Sequence, residues 1–592
     1  MKKFTRFVFA ILLAALAGGA VAAAQQHSPE QQSLSARAAH AAMDRWPSGN
    51  STSGVLPAGE GVLLDGIQAV WLNTVDRSDY DYIKRTVDSL VGPNGSIESS
   101  GHPLDDIALG RSLLLLYGVT LNKRYFNAAS ALYAQIHSRP LDTPEAMAEA
   151  EPFLAEYALT FHQLEAFSEI GARFVRLQTP ARFGSSRSGA ADDDSARRMG
   201  WEMAALVDTL PYFPKDDPGR TQLITILNRD AAAAARNQDA KTGLWDQAPA
   251  KPGAAVNPPV AAASNLFVYA LANGVRRGYL PERYDAVAER AYKAAVNYIA
   301  TTGPGGSFAL SRSSDPETVG AFILASTEAE HIQSAKLGRG DMVMVDAWFN
   351  SQKRADPTGR EVYFHYKWDD QSNPGYSLWG HIFRNFGVRT TTLYAEPTFE
   401  NLKQAQVYIV ASPDNLDTNP RAHFPDAEDA AQIAKWVKAG GVFVIMENDP
   451  SLADQTHFNL ISEKFGMHFN SVLRMHVVGA DHAMGKFQLD GNGPIFHHPH
   501  TVFVKDVCTI SVKPPAVPVY THDGDIFMAV AKYGKGTVYA MVDPWFYNEY
   551  TNGLKLPAMY ENYAAGVELA RWILEQVPKQ AGMAHRAASA KQ

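Results

Sequence analysis

Between residues 61 and 330 the apolar positions recur at helical spacing. Ile83, Val87, Leu90 and Val91 fall on an i, i+4, i+7, i+8 stripe, and Tyr125, Ala129, Leu132, Tyr133 and Ile136 form a second. Further stripes run through 148–161, 203–210, 223–234, 267–275, 286–299 and 321–329. The turns between them also recur, with a glycine ahead of an apolar or aromatic residue: Gly95-Ser96-Ile97, Gly243-Leu244-Trp245 and Gly306-Ser307-Phe308. Hairpins of helices repeating every roughly 40 to 60 residues predict an all-α toroid or solenoid. Past Gly338 the pattern changes to short, continuous apolar runs at 407–410, 441–446 and 536–542, which predict buried parallel strands. A helical stretch at 427–439, stopped by Gly440-Gly441, lies among them, so this half reads as α/β, with the boundary at 336–346.

The termini add a compartment. Lys2, Lys3 and Arg6 precede an apolar run and the small residues Ala22-Ala23-Ala24, the grammar of a secretory signal over 1–24. The expected product is therefore secreted or periplasmic. Residues 25–57, polar and rich in Ser and Ala, read as a flexible arm, followed by the helical domain at 58–335 and the α/β domain at 341–578. No later apolar run reaches membrane length, so no membrane partner is expected. The single cysteine, Cys508, excludes an intramolecular disulfide. The formal charge of −8, about −11 without the signal's basic residues, argues against nucleic acid, and an acidic ligand would need a local basic pocket.

Ala196-Arg197-Arg198-Met199-Gly200-Trp201 offers one. If a helix begins near Arg197, the guanidinium and the Trp201 indole share a face one turn apart, a fork for a carboxylate beside a flat surface for a sugar ring. The same residues also suit a capping Arg and a core Trp. Asp105 and Asp106 stand where the first turn of the next apolar helix is expected, either as dipole-favoured acids or as an acid and its electrostatic partner. In the second half, His497-His498-Pro499-His500 is interrupted by proline, and no metal is expected there. His365 with Asp369 and Asp370, and Asp543 with Tyr547 and Glu549, read as polar residues at strand ends, in a ligand crevice or in solvated loops. Cys508 reads as a core thiol.

Seven blocks in order, "GVLLDGIQAVWLNT" (61–74), "LDDIALGRSLLLLYGVT" (104–120), "AEPFLAEYA" (150–158), "ARRMGW" (196–201), "TGLWDQ" (242–247), "FVYALANGVRRGYL" (267–280) and "VGAFILA" (319–325), resemble glycoside hydrolase family 105, the unsaturated rhamnogalacturonyl hydrolases, with family 88 as a relative. The resemblance implies an (α/α)6 barrel. It also implies removal of a 4,5-unsaturated uronic acid from an acidic oligosaccharide substrate by protonation of the double bond and addition of water, with no cofactor and no metal. It assigns Asp105 and Glu145 as the catalytic carboxylates, and Arg197, Trp201 and Trp245 as substrate-binding residues. The chain departs from the family at Glu145, where an Asp donor is usual. A His-bearing loop before it and a Tyr-His-Gly-Trp-Asp segment before residue 196 are absent. A barrel that captures acidic glycans without cleaving them is the alternative. The second half resembles the flavodoxin-like α/β modules of class I glutamine amidotransferases, through "GGVFVIMEND" (440–449) and "GKGTVYAMVDPWFYNEY" (534–550), with Cys508 on no nucleophile elbow.

Overall fold

The computed structural model describes residues 32–48, 59–97, 107–177, 190–245, 258–302, 308–311 and 314–578. Among these, the first half forms helices α1 (Leu34–Arg45), α2 (Glu60–Thr74), α3 (Arg77–Leu90), α4 (Gly110–Thr120), α5 (Lys123–Ile136), α6 (Pro144–Thr160), α7 (Ala166–Leu177), α8 (Ala190–Thr209), α9 (Pro218–Asn237), α10 (Pro258–Arg276), α11 (Asp285–Ile299) and α12 (Pro316–His331). A small hairpin, β1 (Ala300–Thr302) and β2 (Phe308–Leu310), separates α11 from α12.

The even-numbered helices pack in sequence, and α12 returns to α2, closing a ring. Each odd-numbered helix lies against an even one, which makes six inner helices and six outer ones among the described residues. The burial patterns follow from this placement. Every residue of α12 from Thr318 to Glu328 is buried, as an inner helix walled on all sides requires, whereas α3 keeps a polar outer face. Ring closure depends on a small residue: a Cβ on Gly320 would lie 2.6 Å from the Leu63 backbone nitrogen, so α12 meets α2 backbone to backbone.

The expected flexible arm at 25–57 is corrected in part. Ser33 caps α1, and Ala36, Ala38, Ala39 and Ala42 bury against the ring, because α12 needs an outer partner that no later segment supplies. Helix α8 is corrected as well. It begins at Ala190, so Arg197 lies in its body rather than at its start.

The second half contains β3 (Met342–Asp346), β4 (Lys353–Ala355), β5 (Glu361–Tyr363), α13 (Ser377–Asn385), β6 (Arg389–Leu393), α14 (Phe399–Leu402), β7 (Val407–Ala411), α15 (Ala427–Ala439), β8 (Val442–Met446), α16 (Gln455–Ser462), β9 (Met467–Arg474), β10 (Lys486–Leu489), β11 (His500–Phe503), β12 (Val507–Val512), β13 (Ala516–His522), β14 (Asp525–Tyr533), β15 (Gly536–Met541), α17 (Asn548–Thr551) and α18 (Asn562–Glu575). The main sheet runs β6-β3-β7-β8-β15-β14-β12-β9, with β13 also on β14. Strands β6, β3, β7, β8 and β15 are parallel, and the remainder of the sheet is antiparallel. The parallel part has the doubly wound order 2-1-3-4-5, whose switch point lies between β3 and β7.

That switch point is packed by its own loops. Asp414 accepts from the Ser351 backbone N–H and the Gln352 and Asn419 amides at 2.7 Å, and Asn350 spans to the Ser412 carbonyl. Lys367 is buried against Asn350 Oδ1 at 2.8 Å, and burial pushes its ammonium down to about 8. Of the polar groups expected in a crevice or in solvated loops, Asp370, Asp543 and Tyr547 are buried instead, His365 and Glu549 are half-buried, and Asp369 is exposed. Asp370 accepts from Arg354 and Ser372, and Asp543 accepts from the Lys505 backbone N–H at 2.8 Å. Cys508 lies inside β12, and burial pushes its thiol well up, leaving it inert.

Burial also pushes Asp543 up to about 8. Because its folded pKa exceeds its unfolded value, its stabilising contribution is complete below about pH 4 and is lost as pH rises towards 8. Asp543→Asn should therefore flatten part of the fall in melting temperature between pH 5 and 8. Parallel curves for the two proteins would show that this carboxyl does not titrate there.

The α/β domain packs on the C-terminal ends of the inner helices. Asn73 of α2 accepts through Oδ1 from His331 at 2.9 Å, His381 at 3.2 Å and Asn385 at 2.7 Å. Burial lowers both imidazoles, His331 to about 4. Tyr563 donates to the Leu72 carbonyl, Arg276 to the Arg384 carbonyl and Arg360 to the Thr160 carbonyl. The domain is thus a floor under the ring, remote from the N-terminal ends of the same helices.

Candidate functional site

Those N-terminal ends bring three charged side chains together. Thr143 caps α6 through a bond from the Ala146 N–H, Pro144 opens the helix, and Glu145 follows in its first turn. The same grammar starts α12: Asp315 caps it, Pro316 opens it and Glu317 follows. Each carboxylate sits where the helix dipole favours an anion. Arg197, from the body of α8, lies between them. Its Nη1 donates to Glu145 Oε1 at 3.1 Å, and its Nη2 donates to both Glu317 oxygens at 2.9 and 3.2 Å. Helices α6 and α8 are ring neighbours, but α12 is one further round, so the guanidinium reaches across the mouth. The three side chains are 27–32% exposed, which leaves the bridge within reach of a ligand.

Trp201 stands one turn below Arg197 on α8, as their spacing implies. It is only 5% exposed, and its indole Nε1–H has no acceptor among the described residues. Its ring helps to wall a narrow cavity of about 30 Å³ on the barrel axis, shared with Asp65, Arg111, Asp208 and Tyr269. That is room for a water or two.

In the cavity wall Arg111 bridges Asp65 at 2.9 Å and Asp208 at 3.1 Å, and the Tyr269 hydroxyl donates to the other oxygen of Asp208. Burial pushes Asp65 up to about 6 despite the adjacent guanidinium, and Glu156, beside Tyr212, up to about 7. These carboxylates outnumber the nearby cation, and the groups at this depth can exchange protons near neutral pH.

Asp105, the other expected carboxylate, lies outside the described residues, and α4 itself starts at Gly110. The structure brings together Glu145, Arg197 and Trp201. It does not bring Trp245 to them as a surface for a sugar: that indole is 4% exposed, donates to the Ala234 carbonyl at 2.7 Å and packs on Phe267. The expectation of a substrate-binding Trp245 is thus corrected to a core residue, because its only polar group is already satisfied inside the hairpin. Glu317, Asp65, Arg111 and Asp208 were not singled out from sequence. For Glu317 a signal existed, since the cap-Pro-Glu run at 143–145 recurs at 315–317. The axis residues gave none, being single polar positions on apolar helices.

Among the described residues no group of three or more His, Cys, Asp or Glu side chains is arranged to hold a metal ion. The 497–500 histidines are tied instead to Glu568 and Glu561 of the last helix region, His500 to Glu561 at 3.3 Å. No helix among those residues is long and apolar enough to cross a membrane.

Comparison with known structures finds a family 105 glycoside hydrolase from C. acetobutylicum ATCC 824, 24% identical, covering 50% of this chain and 99% of its own, with a TM-score of 0.43. A family 88 glycosyl hydrolase from Bacteroides vulgatus is 16% identical over 52% of this chain and 99% of its own, with a TM-score of 0.40. The GH76A α-1,6-mannanase from Salegentibacter sp. HEL1_6 is 12% identical over 50% and 98%, with a TM-score of 0.36. The family model Glycosyl Hydrolase Family 88 matches residues 177–333, a span that takes in Arg197, Trp201 and Glu317, so this part of the helical half is similar to the family 88 glycoside hydrolases.

Proposed function

We propose that this chain is an exported protein of polysaccharide breakdown that receives an oligosaccharide end at the N-terminal mouth of its helical ring and cleaves the terminal glycosidic bond. The observation that carries this is the pairing of Glu145 with Arg197, from two inner helices, above a water-sized cavity walled in part by Trp201. As an acceptor from Arg197, the Glu145 carboxylate is set up to take a proton from water or a sugar hydroxyl. The sequence resemblance supports an unsaturated uronyl residue as the sugar, with Asp105 as the partner acid and Arg197 as the seat for the uronate carboxylate. A second reading, a barrel that binds glycans without cleaving them, is favoured by one feature: the Glu145 carboxylate is tied to Arg197 at 3.1 Å.

The test is a panel of lyase-digested pectin, ulvan and glycosaminoglycan, followed by loss of the unsaturated-uronate absorbance, together with neutral oligosaccharides followed by release of new reducing ends. Turnover of any member supports the hydrolase. Binding without turnover, measured by calorimetry, supports the second reading. Neither binding nor turnover across the panel would remove the mouth as a saccharide site.

A further inference from the structure

We infer that Glu317 sets the charge of the sugar this mouth accepts, turning it from a uronate site into one for an uncharged, hydroxyl-rich chain end. The inference rests on the proposal that the mouth binds saccharide, and replaces the uronate that the sequence resemblance supports with a neutral substrate class.

The geometry of the bridge carries it. An Arg fork binds a carboxylate best through paired N–H donors, and a uronate would need that fork. Here Nη2 already serves both oxygens of Glu317, and Nη1 serves Glu145. A uronate arriving at Arg197 would have to displace a carboxylate that is fixed by the first turn of its own helix. It would then leave that carboxylate unpaired beside the new anion, and like charges at that distance are strongly unfavourable. The local balance points the same way. Among the described residues the bridge sets two carboxylates, Glu145 and Glu317, against one guanidinium.

What repels a carboxylate suits a hydroxyl. Each ionised carboxylate oxygen has more than one acceptor direction, so Glu145 and Glu317 keep acceptor capacity after pairing with Arg197. A neutral sugar presents hydroxyl donors to both, whereas the carboxylate of a uronate presents none. The guanidinium then orients the two acceptors rather than gripping the ligand. The backbone of Glu317 is held from the other side by Gly59, which packs against it at a φ of +82°, and a Cβ there would lie 2.8 Å from the Glu317 nitrogen.

The experiment is calorimetric binding of matched pairs of oligosaccharide ends, galactosyl against galacturonyl and glucosyl against glucuronyl, to the full chain and to Glu317→Gln and Glu317→Asp. Wild type should bind the neutral member of a pair about tenfold or more tightly. Glu317→Gln should shift the neutral-to-uronate ratio at least about tenfold towards the uronate, the size expected for a charge-assisted hydrogen bond. Glu317→Asp, which keeps the charge, should retain the wild-type preference. A wild type that prefers uronates, or a Glu317→Gln protein of unchanged melting temperature and unchanged ratio, overturns the inference and leaves the saccharide site standing. Binding of neither member by any of the three proteins overturns the site and the inference together.

Discussion

Replacing Arg111 with methionine should lower stability by about 3 kcal/mol, and by more at pH 8 than at pH 5. Methionine restores much of the buried stem but leaves Asp65 and Asp208 facing each other across the cavity wall with no cation between them. Removing one partner of a buried pair costs about 3–5 kcal/mol. These side chains are 13–22% exposed to the cavity, which places the loss at the lower end. Burial already outweighs the guanidinium at Asp65 and holds it near 6, above its unfolded value, and without Arg111 it would rise further. Such an acid contributes stability that is present at low pH and is lost as pH rises through the folded pKa, so the penalty grows from pH 5 to pH 8. Chemical unfolding followed by circular dichroism at both pH values measures it. Adding Asp65→Asn and Asp208→Asn in the Arg111→Met background should recover most of the loss. A penalty below about 1 kcal/mol at pH 8, or one independent of pH, would mean that water in the cavity screens the two carboxylates.

Glu145→Gln should reduce turnover of whichever glycoside the wild type cleaves by about 10²- to 10⁴-fold, the usual contribution of a positioned acid–base group. The amide oxygen can still accept from Arg197, so the bridge across the mouth persists and KM changes little. Stability should move by less than about 1 kcal/mol, because the pair is partly exposed. Glu145→Asp retracts the carboxylate by one bond, and a misplacement of about 1 Å costs roughly a hundredfold, so it should fall between the other two proteins. Initial rates of reducing-end release at saturating substrate give kcat directly. An undiminished kcat in Glu145→Gln would reduce Glu145 to a helix-terminal acid that positions Arg197.

The positions that make or cross the mouth were legible to different degrees, for physical reasons. Arg197 and Trp201 are one turn apart in any helix, so their shared face followed from spacing wherever α8 began. Glu145 stood out through its place ahead of the "AEPFLAEYA" block. Glu317 carried the same cap-Pro-Glu grammar but lies 120 residues from Arg197, and no local rule joins residues of non-adjacent helices of a ring. Trp245 was assigned to substrate binding by the resemblance of the block that contains it. Its fate depended on whether a carbonyl lay within reach of the indole N–H, and Ala234 supplied one.

By itself the sequence determined the periodicities, hence an all-helical half and an α/β half, the glycine stops between elements, and the absence of any disulfide. These are consequences of side-chain spacing and backbone conformation within one element, and they survive without knowledge of neighbours. Tertiary structure alone decided that residues 34–45 of the Ser- and Ala-rich stretch become an outer helix, that the α/β domain closes the floor rather than the mouth, and that Arg197 pairs with Glu145 and Glu317. Each of these depends on which helix ends converge when the ring closes, and burial, pairing and charge balance are properties of that convergence.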